Sequence, residues 1–168
     1  MIRDQKRRFD SILPDLLGLY KLKGNKSTIK HYEGIEGIKT AYESLLRDIR
    51  TDDPYYIIAH QQNWYDLDPK WFEDYIERRP RRALDVRAIF QDSEQAQRYK
   101  EMERVVRAKI KIFSRPISLS VDMIVCPQRL ILHNFAPPIT TAVIEHEDII
   151  NFHLNLFRYM WDSLPDAD

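Results

Sequence analysis

The chain has 168 residues, of which 43% are hydrophobic and 11% aromatic, enough for one domain to fill a core without cofactors or disulfides. Its 26 basic and 26 acidic residues cancel, so net charge draws it neither onto nucleic acid nor onto an anionic membrane. No apolar run approaches the roughly 18 residues that span a bilayer, and the start lacks the apolar region of a signal peptide. The single cysteine, Cys126, excludes an intrachain disulfide and is expected to be a buried, inert thiol in a cytoplasmic protein.

The first segment carries apolar residues at spacings of three and four between residues 4 and 22, which predicts an amphipathic helix. Pro14 interrupts it, so the helix either kinks near Leu13 or restarts with Pro14 in its first turn. Two interpretations stay open. The stripe packs on its own domain, or it faces a second copy and makes residues 1–23 a linker and dimerisation helix. The candidate dimerisation residues are Phe9, Leu13, Leu16, Leu17 and Tyr20.

Residues 28–113 alternate between strand and helix patterns. Three strand-helix pairs are predicted, followed by an edge strand whose Lys109 and Lys111 discourage pairing with another sheet. Gly34 and Gly37 fall in the first turn of the first of these helices. The spacing GIEG favours close packing of the backbone over the cradling of a phosphate.

A polar and aromatic loop, residues 60–66, directly follows the second strand. It leaves the carboxyl end of that strand, where open α/β sheets usually place ligands. On this position alone, His60, Gln62, Trp64 and Tyr65 are candidate ligand-binding residues. Capping of the core is the alternative role for Trp64 and Tyr65, and the spacing of the acidic and histidine residues does not indicate a metal site.

Three short apolar runs between residues 119 and 146 predict three strands joined by tight turns, in the middle of the sheet. A helix over residues 147–164 closes the chain. The expected fold class is therefore α/β, with a layered sheet, part parallel and part antiparallel, flanked by helices.

Four strings in this order carry a resemblance: HYEGIEGIKTAYESLLRDI, VRAIFQDSEQAQRYKE, SLSVDMIVCPQRLILHNF and VIEHEDIINFHLNLFRYMWDS. Together they resemble the phospholipase-D-like effector domain of TrmB-type transcriptional regulators. The resemblance implies an effector domain at residues 28–164, a homodimer and a small-molecule effector such as a sugar. In that family a winged helix precedes the effector domain. Residues 1–26 leave no room for one, so we expect contact with DNA only through a winged helix absent from this chain.

The resemblance also implies where chemistry would lie. Phospholipase D enzymes need HxK(x4)D, in which the histidine attacks phosphorus, the lysine neutralises phosphate oxygens and the aspartate orients the site. The matching positions here hold Ser120, Asp122 and Pro127, and none of the five histidines of the chain has a lysine two residues later. We therefore expect a non-catalytic regulatory domain without cofactors. The alternatives are a purely structural homodimerisation module and a phosphate-ester hydrolase with a rearranged site of Ser120, Asp122 and His133.

Overall fold

The computed structural model describes residues 27–79 and 85–166, which form one mixed sheet flanked by helices. The predicted N-terminal helix, with its dimerisation residues, lies outside the described residues. The elements are β1 (Thr28–Glu33), α1 (Gly34–Asp48), β2 (Pro54–Ala59), α2 (Gln61–Leu67), α3 (Pro69–Arg78), β3 (Asp85–Phe90), α4 (Glu94–Glu101), α5 (Glu103–Val106), β4 (Lys109–Ile112), β5 (Val121–Cys126), β6 (Arg129–Asn134), β7 (Thr140–Glu145) and α6 (Glu147–Ser163). No helix among the described residues is long and apolar enough to cross a bilayer.

The sheet has seven strands in the order β1-β7-β6-β5-β2-β3-β4. Strands β2, β3 and β4 run parallel to one another, and all other neighbours are antiparallel. The predicted fold class is confirmed, and β5 occupies the centre of the sheet with β6 beside it. Short turns suffice for the antiparallel neighbours β5, β6 and β7, whereas the parallel strands need helical crossovers.

Each face of the sheet covers a separate core. Helices α1 to α5 pack on one face, where Ile124, Ile131 and Val143 lie among their side chains. Helix α6 packs on the opposite face, over Met123 and Val125. Because successive residues of a strand point to opposite faces, the continuous apolar run of β5 serves both cores.

Local signals in the sequence fix several helix starts. The Asp68 side chain accepts from the Trp71 backbone N–H at 3.1 Å, and Pro69 occupies the first turn of α3. Gly34 adopts a φ of 72°, which glycine tolerates at little cost. A Cβ on Gly37 would lie 2.7 Å from the Tyr32 Cβ, so Gly37 permits the close packing that its spacing predicts.

One local prediction is wrong. Residues 61–67 form helix α2 and not a loop, because burial of Trp64 stabilises a turn of helix that the polar sequence alone does not favour. Strand β4 lies at the edge of the sheet, as predicted, and its Lys111 is 8% exposed. Its Nζ donates to the carbonyls of Trp161 and Leu164 at 3.0 and 2.7 Å, so it satisfies the end of α6.

Candidate functional site

Three polar side chains lie in one row across the centre of the sheet. Asp122 of β5 is directly opposite His133 of β6, which is opposite Thr141 of β7. These side chains are 1%, 0% and 1% exposed, respectively. They lie on the face covered by α1, α2 and α3. The row is therefore a buried polar layer within an otherwise apolar core, and we call it the polar row.

The polar row is only partly satisfied by hydrogen bonds. Asp122 Oδ1 accepts from the backbone N–H of His60 at 3.0 Å, and His133 Nδ1 lies 2.9 Å from the hydroxyl oxygen of Thr141. Within the part of the chain that the structure describes, Asp122 Oδ2 and His133 Nε2 have no partner. An unpaired buried polar atom lowers the free energy of unfolding by about 1–3 kcal/mol, so the polar row destabilises the folded domain.

Burial favours the neutral form of both titratable side chains of the polar row, Asp122 and His133. Loss of solvation raises the pKa of Asp122 to about 7, against the opposing hydrogen bond from His60. The same loss of solvation lowers the pKa of His133 to about 3. At neutral pH, His133 is therefore an uncharged imidazole and Asp122 lies near its titration midpoint.

Aromatic rings seal the polar row from solvent. Tyr42 stacks on His133 with 4.8 Å between ring centroids, and the Trp64 indole N–H donates to the Tyr42 hydroxyl at 3.2 Å. Trp64 in turn stacks on Phe72 with centroids 5.1 Å apart. A solvent-borne substrate has no path to Asp122 or His133 unless these rings move, so the row is poorly placed for acid–base catalysis.

The three positions matched to the phospholipase D motif do not share a site. Ser120 is exposed just before β5, Asp122 is buried within it, and Pro127 is exposed in the two-residue turn that follows it. Ser120 and Pro127 thus lie at opposite ends of the strand, roughly 20 Å apart at about 3.3 Å per residue. Sequence spacing correctly indicated that Asp122 and His133 lie on neighbouring strands, but it could not show that both are enclosed.

The four candidate ligand residues lie in different environments. The backbone of His60 binds Asp122, and the Gln62 side chain donates to Asp66 on the surface of α2. Trp64 is 1% exposed in the aromatic core. Tyr65 stays at the surface, where it contacts α3 and α4. The role of these four side chains in ligand binding stays a prediction.

A cavity of about 460 Å³ lies between α3, α4 and α5, beside Tyr65. The Tyr65 hydroxyl donates to Glu73 at 2.8 Å and accepts from Arg98 at 2.7 Å, and both of these partners line the cavity. Its apolar and charged lining comprises Glu73, Ile76, Glu77, Arg98, Tyr99, Met102, Val105, Val106 and Arg107. The volume is within the range of small-molecule sites. The cavity is not evident in the sequence because its walls come from separate segments, each of which is an ordinary amphipathic helix.

The described residues offer little for metal binding. No group of three or more His, Cys, Asp or Glu side chains among residues 27–79 and 85–166 is arranged to hold a metal ion. Cys126 is fully buried, and burial raises the pKa of its thiol to about 11, which disfavours the reactive thiolate.

Solved structures share this fold. The archaeal chromatin protein TrmBL2 aligns with 99% of this chain and 68% of its own, at 10% identity and a TM-score of 0.56. Nuc, a phospholipase D family member from Salmonella typhimurium, aligns with 84% of this chain and 99% of its own, at 11% identity and a TM-score of 0.59. NucT from Helicobacter pylori covers 84% of this chain and 100% of its own, at 10% identity and a TM-score of 0.54.

Neither protein-family models nor curated protein sequences match the chain. At identities of 10–11%, the similarity to the solved structures concerns the fold, and the predicted TrmB-like, phospholipase-D-like architecture is confirmed at that level.

Proposed function

We propose that the chain is a non-catalytic effector domain of a TrmB-like regulator, which responds to a small polar ligand. One observation carries the proposal. A sealed carboxylate, Asp122, stands at the position that the sequence resemblance assigns to the phosphate-binding lysine. A lysine there would attract a phosphodiester, whereas Asp122 is either neutral or repels it. Ser120, at the position of the nucleophilic histidine, is exposed, whereas His133 is enclosed.

The cavity between α3, α4 and α5 supports binding of a small ligand. Its charged rim includes Glu73 and Glu77 as acceptors and Arg98 and Arg107 as donors, and hydroxyl groups of a sugar can bond to both kinds. Tyr65, one of the predicted ligand residues, already bonds to two of the lining side chains. We therefore place the sensing site at this cavity, with Tyr65 at its edge.

A regulatory role fits the shared fold with TrmBL2, which is described as a chromatin protein that binds DNA. In the proposed mechanism, ligand binding between α3 and α4 changes the pose of the domain within a homodimer. Such coupling between two sites is typically worth 1–3 kcal/mol. A cytoplasmic setting fits the single buried thiol of Cys126.

A phosphodiesterase assay tests the non-catalytic part of the proposal. Purified full-length chain incubated with bis(p-nitrophenyl) phosphate should release no more nitrophenol than buffer. Turnover that disappears in both Ser120→Ala and Asp122→Asn would establish the hydrolase alternative in its place. A matched control is Ser163→Ala, which removes an exposed hydroxyl far along the chain from β5.

A thermal-shift screen with monosaccharides and disaccharides tests ligand binding. A sugar at about 100 times its dissociation constant adds about 2.7 kcal/mol of stability, which raises the melting temperature of a domain this size by roughly 5–11 °C. The shift should vanish in Arg98→Met and persist in Arg158→Met, an exposed arginine on α6. Absence of a shift with every sugar would favour the purely structural homodimerisation module. The different environments of the four predicted ligand residues also favour that alternative.

A further inference from the structure

Helix α6 has apolar residues on its outer side as well as its inner side. Phe152, Leu156 and Tyr159, at spacings of four and three, share the side that faces solvent and are 62%, 41% and 74% exposed. The side facing the sheet buries Ile150, Leu154, Phe157 and Trp161. A helix that is apolar on opposite sides normally lies between two layers. We call the three exposed residues the outer stripe.

The face of the sheet beneath α6 has room for a second helix. Neighbouring strands are about 4.8 Å apart, so seven strands span about 29 Å, whereas a helix with its side chains is about 10 Å wide. Five described helices cover the opposite face, and α6 is the one described helix on this face. Ile29 and Val121 also project from this face and are 71% and 42% exposed. The exposed apolar surface therefore extends beyond α6 on the sheet itself.

The N-terminal segment enters the described domain beside this surface. Thr28, the first residue of β1, pairs with Glu145, and α6 begins two residues later at Glu147. Residues 22–27 span up to about 20 Å when extended, and a helix over residues 9–20 is about 17 Å long. The outer stripe from Phe152 to Tyr159 spans about 10 Å along α6. Length and attachment point thus allow the predicted apolar stripe of the N-terminal segment to cover the outer stripe.

We propose that residues 9–20 pack in their own chain against the outer stripe of α6. Of the two interpretations left open by the sequence, this is the intrachain one, and it goes beyond the proposed function because it does not depend on a ligand. Attachment near the start of α6 favours it over a second copy, because a short connection within one chain gives an effective concentration in the millimolar range. The apolar residues of the segment then cover the side of α6 that faces away from the sheet.

Hydrogen–deuterium exchange on the full chain tests this proposal. In Phe152→Glu with Leu156→Glu, amide exchange of residues 9–20 should rise by about tenfold or more, because their packing surface has become charged. Asn151→Glu adds a charge on the polar side of α6, at a position that is not three or four residues from any member of the outer stripe, and should leave that exchange unchanged. Continued protection of β5 and β6 in all variants shows that the domain is folded.

A second pair of substitutions changes the N-terminal segment and not α6. Leu16→Ser with Leu17→Ser should release the segment to a similar extent while leaving the described domain intact. Sedimentation decides which chain supplies the segment: under the proposal, the mass of the particle is the same in wild type and in both pairs. Unchanged exchange at residues 9–20 in either pair overturns the proposal. So does release accompanied by a halved mass, which would assign the outer stripe to a second copy.

Discussion

Replacement of Asp122 by asparagine should change how the free energy of unfolding depends on pH. The buried carboxyl has a pKa of about 7 in the folded chain and about 3.9 when unfolded. Because the folded state holds this proton more tightly, the wild-type contribution to stability is full below pH 4 and is lost as pH rises to 7. Asparagine keeps the oxygen that accepts from His60 but cannot ionise.

The magnitude follows from the two pKa values. Each pKa unit is worth about 1.4 kcal/mol, so the free energy of unfolding of Asp122→Asn, relative to wild type, should increase by about 3–4 kcal/mol between pH 4 and pH 8. His133 acts in the opposite sense. Because its pKa is lowered to about 3, the free energy of unfolding decreases as pH falls below 6.5, where the histidine of the unfolded chain takes up a proton. Between about pH 4 and 6.5, the pH dependences that Asp122 and His133 give to the free energy of unfolding have opposite signs. They largely cancel in the wild type, whereas Asp122→Asn shows the dependence due to His133 alone.

Urea unfolding followed by tryptophan fluorescence at pH 4, 6 and 8 measures this difference. The unpaired amide N–H₂ introduced by asparagine shifts all three values equally and does not affect the slope. Asp162→Asn, an exposed substitution on α6, serves as the control. A difference between Asp122→Asn and wild type that stays constant from pH 4 to pH 8 would refute the claim that burial keeps this carboxyl protonated.

The remaining predictions concern single side chains. As pH is lowered from 7 to 4, the free energy of unfolding of His133→Gln should increase by about 3 kcal/mol relative to that of wild type. A decrease in the same urea experiment would contradict this prediction. Lys111→Met should lower the free energy of unfolding by about 1–3 kcal/mol because the final carbonyls of α6 lose their donor, as checked by urea titration against the exposed Lys109→Met. Gly37→Ala should cost about 1–3 kcal/mol because its Cβ would meet Tyr32, and an unchanged melting temperature would count against this packing. Cys126 should react with a thiol reagent only after the chain unfolds; rapid labelling of folded protein would show that it is not enclosed.

The sheet was largely predictable because strand patterns depend on local apolar spacing. The runs that form β5, β6 and β7 are dense in Val, Ile and Leu and bounded by turn residues, which favours short buried strands. Asp68 and Pro69 likewise mark the start of α3 by their chemistry alone. These signals lie within a few residues of the features that they predict.

The candidate site was less predictable because it depends on contacts between distant segments. Nothing near Trp64 in sequence indicates that its indole donates to Tyr42 and thereby helps to seal His133. The cavity beside Tyr65 forms only when α3 and α4 meet, and Lys111 becomes a helix cap only because α6 ends above it. Each of these features depends on tertiary packing, which the polarity of the neighbouring sequence does not predict.

The pairing of β1 with β7 also orders events during synthesis. Thr28 and its partner Glu145 are 117 positions apart in sequence, so β1 cannot pair until β7 has also been synthesised. Strands β5, β6 and β7, by contrast, need only their neighbours and can assemble within a short stretch of new chain. Strand β1 is thus among the last to pair, and in a chain interrupted before β7 its backbone N–H and C=O groups lack the partners that β7 provides.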